Sequence, residues 1–122
     1  MILYIDTTNF QTMRFALIGD KVAEQNFEIA YNKNWTIADH LQKFLQSHKA
    51  SPSDLTKIIV CAGPGSFNGT RVGVTIAEGL GFASKIPVVA IKQSEVPKDL
   101  SKLKEFKGGK KVEIEYTPSK FD

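Results

Sequence analysis

Three segments near the start of the chain have the hydrophobic pattern of β-strands. Residues 2–6 and 13–18 are apolar and rich in β-prone side chains, while residues 22–29 alternate between polar and apolar positions. The second and third segments are separated by Gly19-Asp20, a pair that suits a tight two-residue turn because glycine accepts a positive φ without steric cost. The pattern predicts an antiparallel meander.

The hydrophobic period changes from Ile37 onward, where apolar side chains share one helical stripe and predict a helix that ends near Lys49. Residues 58–62 are apolar on both faces, as buried parallel strands are. A second helix over 70–84 and a strand over 87–91 follow. The order β-β-β-α-β-α-β predicts an α/β fold, in which helices pack on a mixed β-sheet through right-handed crossovers.

The pattern weakens after Gln93. Leu100, Leu103 and Phe106 are spaced to form the apolar side of a short helix, and residues 112–116 alternate as an edge strand does. With 122 residues, the chain has room for one domain but not for two full lobes.

Charge and cysteine content exclude several classes of protein. The formal charge of +3 is too small to indicate nucleic-acid binding unless the basic residues cluster, and from residue 98 onward the lysines do cluster. A solvated tail is the favoured interpretation of that cluster. Cys61 is the only cysteine, which excludes an internal disulfide and favours a reducing, cytoplasmic setting. No apolar stretch approaches the ~20 residues that span a bilayer, and the start of the chain lacks a signal-peptide pattern.

A glycine-rich turn over 63–69 follows the strand 58–62 and leads into the second helix. Backbone N–H groups at such a helix start can bind an anion, which makes Gly63, Gly65 and Ser66 candidate phosphate-binding residues. The spacing matches neither a Walker phosphate loop nor a dinucleotide fingerprint. A tight turn that lets the helix pack close to the sheet is therefore the favoured interpretation.

The segment Asp6-Thr7-Thr8, at the end of the first strand, is a second candidate site. A carboxylate and two hydroxyls on a turn between strands are able to hold a metal-bound phosphate. The same side chains also stabilise turns by bonding to nearby backbone, which is the simpler explanation for their presence.

The second helix carries a stripe of small residues at four-residue spacing, formed by Gly69, Gly73, Ala77 and Gly81. Each glycine costs a helix roughly 1 kcal/mol relative to alanine, so the stripe predicts a compensating close contact with another helix. That helix belongs either to this chain, as its first helix, or to another subunit, which is the favoured alternative; both contacts can coexist. The apolar neighbours Val72, Ile76 and Leu80 complete the predicted interface.

Candidate catalytic groups are sparse. His40 and His48 lie eight residues apart, too far along a helix for joint metal binding, and neither has a cysteine or second histidine placed to complete a site. Ser66 has no recognisable base partner, so a nucleophilic role is disfavoured. The sequence predicts no resident metal and no catalytic residue.

Two motifs resemble the TsaB (YeaZ) family: Ile5-Asp6-Thr7-Thr8 in the first strand and, above all, the stretch GPGSFNGTRVG over 63–73. In that family the stretch usually reads GPGSFTGLRIG, so Asn68 stands in place of threonine and Thr70 in place of leucine. The resemblance extends from residue 1 to about Lys92.

The resemblance implies a single actin-like, ribonuclease-H-like lobe and a non-catalytic, scaffolding role in making tRNA threonylcarbamoyladenosine. It implies a TsaD-like catalytic subunit and a TsaE-like ATPase as partners, docking through the helix after the GPGSF turn, and a homodimer when the protein is isolated. Direct tRNA contact by the lysine-rich tail ranks last among the possibilities. Related sequences were once labelled glycoproteases, a label that the missing metal-binding histidine pair does not support here.

This chain departs from the family pattern in its length. Family members usually carry a second lobe after the position of Lys92, whereas this chain divides into a lobe over 1–92 and a short lysine-rich extension over 93–122. In the actin-like fold that the resemblance implies, the nucleotide lies in a cleft between two lobes, so a chain with one lobe keeps only half of that cleft. This disfavours ATP hydrolysis and leaves at most weak nucleotide binding. The alternative to a scaffold is a minimal nucleotide-binding phosphotransferase that completes its cleft by dimerising.

Overall fold

The computed structural model of the protein describes residues 1–28 and 37–106, and within this part of the chain the predicted element order is confirmed. The strand predicted over 112–116 lies outside the described residues. Five strands form one sheet: β1 Ile2–Asp6, β2 Thr12–Ile18, β3 Val22–Glu28, β4 Lys57–Cys61 and β5 Val88–Ile91. Two α-helices accompany them: α1 Ile37–Ser47 and α2 Phe67–Ser84.

The sheet is mixed, with strand order β3-β2-β1-β4-β5. The meander β1–β2–β3 is antiparallel, and β4 and β5 join it as parallel strands. The turn between β2 and β3 is one residue longer than predicted, because Ile18 pairs with Val22 and leaves Gly19, Asp20 and Lys21 in the loop. A hydrogen bond closes this turn: the Gly19 N–H donates to the Lys21 carbonyl at 3.1 Å.

Helix α2 begins at Phe67, three residues earlier than its hydrophobic pattern predicts. Ser66 caps this end: its hydroxyl oxygen accepts the Gly69 N–H at 3.2 Å, which satisfies one of the backbone donors left over at a helix start. The helix ends at Lys85, which adopts the left-handed conformation with φ 59°. The cap explains the earlier start, since the turn residues 67–69 then continue directly into the helix.

One face of the sheet carries both α-helices. The side chains between them form a core that includes Leu3, Phe15, Phe44, Val60 and Ala77, each with no exposed surface. Because successive side chains of a strand point to opposite faces, the strands contribute every second residue to this core. The core positions α2 directly over β1 and β4, the two strands whose carboxyl ends carry the candidate site.

The opposite face of the sheet is covered differently. Among the described residues, its cover is a segment that leaves the end of β5 and crosses back over the sheet, residues 93–106, which we call the strap. Within the strap, the short 3₁₀ helix Leu100–Glu105 buries Leu100 and Leu103 and leaves Phe106 partly buried, as their spacing predicts. The strap packs on the same sheet as residues 1–92 and forms one fold with them.

Candidate functional site

The two turns that carry the candidate phosphate-binding residues lie side by side. The Ser66 N–H donates to the Thr8 carbonyl at 2.8 Å, and the Thr7 hydroxyl donates to the Gly69 carbonyl at 2.5 Å. A side chain at Gly65 would collide with Thr8, so glycine is needed there for the turns to approach. The structure therefore brings together the two motifs that the sequence singles out.

The polar groups of the first turn are engaged with one another. The Asp6 carboxylate accepts the Thr8 N–H at 3.0 Å and the Thr8 hydroxyl at 2.6 Å through one oxygen, and the Tyr4 hydroxyl at 3.2 Å through the other. Thr7 and Thr8 are both almost fully buried. These bonds are the internal turn contacts that such residues commonly make, and a role of the turn in holding phosphate stays a prediction.

The second turn, the glycine-rich one that includes Gly63 and Ser66, also makes contacts that hold the fold together. Gly63 has a φ of 109°, a conformation that favours glycine, and its carbonyl accepts the Gln93 N–H at 2.9 Å. The Ser66 hydroxyl caps α2, as described above, which is a role distinct from that of a nucleophile.

Burial and a nearby negative charge set the ionisation of the groups beneath this site. Burial raises the pKa of the Cys61 thiol to about 11, and the charge of Asp6 adds to that shift. Burial also raises the pKa of Tyr4 far above its usual value, again with a contribution from Asp6. Both groups therefore stay protonated at neutral pH, and Cys61 is inert there.

The guanidinium of Arg14 lies above the Tyr4 ring, 5.9 Å from its centroid, and forms a two-pronged ion pair with Glu24. Each side chain of the pair keeps about a third of its surface exposed, which limits what the pair contributes to stability to ~1 kcal/mol at most. The hydrogen bond with Glu24 raises the pKa of Arg14, so its charge is permanent.

The expectation that the small-residue stripe faces a neighbouring helix is corrected by the structure. A Cβ at Gly73 would collide with the Thr7 hydroxyl, one at Gly69 with the Thr7 carbonyl, and one at Gly81 with Val88. Ala77 is fully buried in the core. The compensating contact for the stripe is thus the chain's own sheet and first turn, and neither α1 nor another subunit is needed to explain it.

The other three residues of the predicted interface remain accessible. Val72 is 42% exposed, and Ile76 and Leu80 are half-buried on the flank of α2 that faces α1. These last two line a groove of about 420 Å³ between the helices, whose α1 side is formed chiefly by Ala38, Leu41, Gln42 and Leu45. We call Val72, Ile76, Gly79 and Leu80, together with this groove, the α1–α2 face.

Gly79 stands beside the stripe, but residues 1–28 and 37–106 supply no close contact for it. A Cβ added there would meet no atom of these residues within 4 Å. It lies seven residues after Val72 and three after Ile76, a spacing that places all three on adjoining parts of the helix surface. Its position beside the stripe is visible in the sequence, but its exposure depends on which side of α2 is buried.

The histidines pack against aromatic rings rather than against each other. The His40 ring meets Phe27 with centroids 4.9 Å apart, and His48 meets Phe44 at 4.8 Å. In the described part of the chain, no three His, Cys, Asp or Glu side chains gather where they could hold a metal ion. Over the same residues, no helix has the length and apolar character that crossing a bilayer requires.

Comparison with known proteins connects this geometry to one group of proteins. The model of a protein family described as TsaD, tRNA N6-adenosine threonylcarbamoyltransferase, matches residues 10–97. The chain is 34% identical over 96 residues to the tRNA threonylcarbamoyladenosine biosynthesis protein TsaB of Bacillus subtilis strain 168, covering 77% of this chain and 42% of that protein. The protein of the same name from Escherichia coli strain K12 is 31% identical over 91 residues, covering 74% and 39%.

Solved structures give the same answer for the fold. YeaZ from Pseudomonas aeruginosa superposes with a TM-score of 0.66 at 24% identity, covering 75% of this chain and 43% of that one. A second structure, described as an uncharacterised protein similar to the peptidase YeaZ of Pseudomonas aeruginosa, superposes equally well.

The sheet order, the paired turns and these superpositions define the class as a single actin-like lobe of the α/β type. The chain belongs to the family of TsaD and TsaB (YeaZ) proteins, within which its relatives are TsaB proteins. It spans about two fifths of the length of the two TsaB relatives.

Proposed function

We propose that this chain is a non-catalytic component of tRNA threonylcarbamoyladenosine biosynthesis and that it docks on a TsaD-like catalytic subunit through the α1–α2 face. Both TsaB relatives carry names that place them in that biosynthesis, and the family model that matches the chain is that of the transferase itself. A TsaE-like ATPase is the further component that we expect to act with the pair.

The observation that carries the docking proposal is the surface of α2. Val72, Ile76, Gly79 and Leu80 present apolar atoms and bare backbone on one side of an 18-residue helix. Gly79 costs the helix about 1 kcal/mol relative to alanine and receives no compensating contact from the part of the chain that the structure describes. A partner helix packed close to its backbone would supply that contact, as amphipathic helices do in apolar grooves.

The non-catalytic part of the proposal rests on the two turns of the candidate site. Their side-chain hydrogen bonds join neighbouring turn residues to one another and to the start of α2. The side chains involved are those of Asp6, Thr7, Thr8 and Ser66. A phosphate that took a hydrogen bond from the Thr7 or Thr8 hydroxyl would have to displace the bond that this hydroxyl now makes, which costs free energy for each buried group left unpaired.

Self-association through the same face is a corollary. The matching family model indicates that a TsaD-like subunit contains a lobe related to this one. A surface that accepts such a lobe can also accept a second copy of the chain, in an arrangement in which each copy presents the same patch. We therefore expect a homodimer when the catalytic subunit is absent and competition between the two assemblies when it is present.

The test is a binding titration between the purified 122-residue chain and the TsaD-like subunit of the same cell, measured by calorimetry and by light scattering after gel filtration. We expect Val72→Glu and Gly79→Leu to weaken binding at least 100-fold, since each puts a charge or bulk where a helix must approach. Both positions are exposed, so circular dichroism and melting should change little.

The matched control is Phe82→Glu, because Phe82 is 89% exposed on the same helix and lines a separate depression next to β5. Binding should be unaffected by this change. Full-strength binding by the Val72 and Gly79 variants would refute the α1–α2 face, and loss of binding in the Phe82 variant alone would assign the interface to the β5 side.

A further inference from the structure

We infer that the strap, residues 93–106, is a separately opening element: it detaches from the sheet as a unit while the rest of the lobe stays folded, and by doing so uncovers an apolar sheet face. Few of its own side chains hold it on the sheet. Within the strap, only Leu100 and Leu103 are fully buried, with Val96 and Phe106 partly so.

The hydrogen bonds of the strap to the rest of the lobe are few among those described. The Gln93 N–H donates to the Gly63 carbonyl at its start, and the Lys57 ammonium donates to the Phe106 carbonyl at 3.0 Å at its end. Between these points the backbone forms two short 3₁₀ turns, Gln93–Glu95 and Leu100–Glu105, which satisfy their own carbonyls locally. These local bonds join strap residues to one another and need not break when the strap leaves the sheet, so they do not oppose opening.

The other face of the sheet is held much more firmly. Helices α1 and α2 bury a continuous core on it, and α2 contacts β1, β4 and β5 together. A region with few buried apolar contacts opens more often than one with many, because the free energy of local opening follows the contacts that break. The strap therefore opens at a lower cost than the lobe unfolds.

Opening has two consequences for the molecule. It exposes the apolar side chains of the second face, which are Ile2, Tyr4, Ala16, Ile18, Ile59, Cys61, Val89 and Ile91. It also releases the Gly63 carbonyl at the turn that starts α2, so the state of the strap is linked to the turn beside the helix of the proposed interface.

Cys61 provides a natural reporter of this opening. Its thiol has no exposed surface and lies on the sheet face that the strap covers. A thiol reagent therefore reaches it only when the strap has left the sheet. We expect the 122-residue chain to be labelled with 5,5′-dithiobis(2-nitrobenzoate) faster than its global unfolding permits. Leu103→Ala should raise the labelling rate by roughly 100-fold, since it removes a buried leucine from the strap.

Two controls separate strap opening from unfolding. Lys104→Ala, at an exposed position of the same 3₁₀ helix, should leave the rate unchanged. Leu41→Ala, in the core of the opposite face, should speed hydrogen exchange at the amide of Ala77 in α2 but barely change the labelling of Cys61.

The inference is overturned if Leu41→Ala raises Cys61 labelling and Ala77 exchange by the same factor, or if Leu103→Ala leaves Cys61 labelling unchanged. The first result would mean that the two faces open only together, and the second that the strap does not control access to Cys61. None of these measurements involves a partner, so they succeed or fail independently of the docking proposal.

Discussion

The hydroxyl of Thr7 donates to the carbonyl of Gly69 at 2.5 Å, joining two residues that are 62 positions apart in the chain. This bond fastens the turn after β1 to the first turn of α2. It lies directly beside Gly73, where an added Cβ would meet the same hydroxyl. The close approach of helix and turn thus depends on a missing side chain.

Substitution at the two helix glycines should have opposite effects. We expect Gly73→Ala to lower the free energy of unfolding by about 1–3 kcal/mol, because the new methyl group displaces the Thr7 hydroxyl from its bond. Gly79→Ala should raise it by up to about 1 kcal/mol, since alanine favours the helix and its methyl group would meet no atom of the described residues. Urea denaturation of both variants is the measurement; equal effects would contradict the assignment of the buried side of α2.

Removing the buried hydroxyl of Thr70 should stabilise the protein. This side chain has no exposed surface, and its oxygen has no hydrogen-bond partner among the described residues. Thr70→Val replaces the hydroxyl by a methyl group of similar shape, so we expect the free energy of unfolding to rise by about 1–2 kcal/mol. Thermal melts would show the change, and Thr75→Val, at an exposed position of the same helix, serves as the control with little effect. A destabilised Thr70 variant would mean that the hydroxyl has a partner after all.

The Ser66 cap can be tested without disturbing the core. Ser66→Ala removes the acceptor for the Gly69 N–H and should cost about 1 kcal/mol of stability. Ser66→Asp keeps an acceptor next to the positive end of the helix dipole, so it should recover most of the loss. Chemical denaturation distinguishes the two; failure of the aspartate to rescue would indicate that the turn, rather than the cap, is what the serine supports.

Stability should fall in the alkaline range because of Cys61. The pKa of its thiol is about 11 in the folded protein, against 9.0 for a free thiol. Below pH 9 both states are protonated and nothing changes. Between pH 9 and 11 the unfolded thiol ionises while the folded one does not, so the free energy of unfolding drops by roughly 2–3 kcal/mol.

The control for this effect is Cys61→Ala, which should flatten the loss between pH 9 and 10. Above pH 10 the raised pKa of Tyr4 adds a second loss of the same sign, which the cysteine variant retains. Denaturation curves over pH 7–11 would reveal both. An unchanged slope in the variant would show that the thiol does not carry the early part of the decline.

Most of the fold follows from local patterns. Strand alternation and helical spacing are properties of neighbouring residues, so β1 was predicted with its observed bounds and α1 with its observed start. The same holds for Leu100 and Leu103, whose spacing predicts the buried side of the 3₁₀ helix. The start of α2 was missed because the decisive signal is a single cap bond at Ser66 and not a hydrophobic period.

The candidate site was only partly predictable, for a different reason. Small residues at Gly69, Gly73 and Gly81 indicate that something approaches closely, but they do not specify what. The approaching atoms belong to Thr7 and Val88, and their position depends on how the sheet is assembled. Thr70 and Val74, which the structure buries, lie on the same side of α2 as Gly73, but these residue types alone do not show which side of a helix faces the core.

The central position of β1 bears on the order in which the protein folds. One edge of β1 pairs with β2, its neighbour in the chain, whereas the other pairs with β4, with Ile2 opposite Lys57. Closing a short hairpin loses less chain entropy than bringing such distant segments together. During synthesis the meander can therefore assemble first, and β1 keeps an unpaired edge until β4 has left the ribosome. Over that interval the nascent chain depends on rapid completion to avoid pairing with the wrong strand.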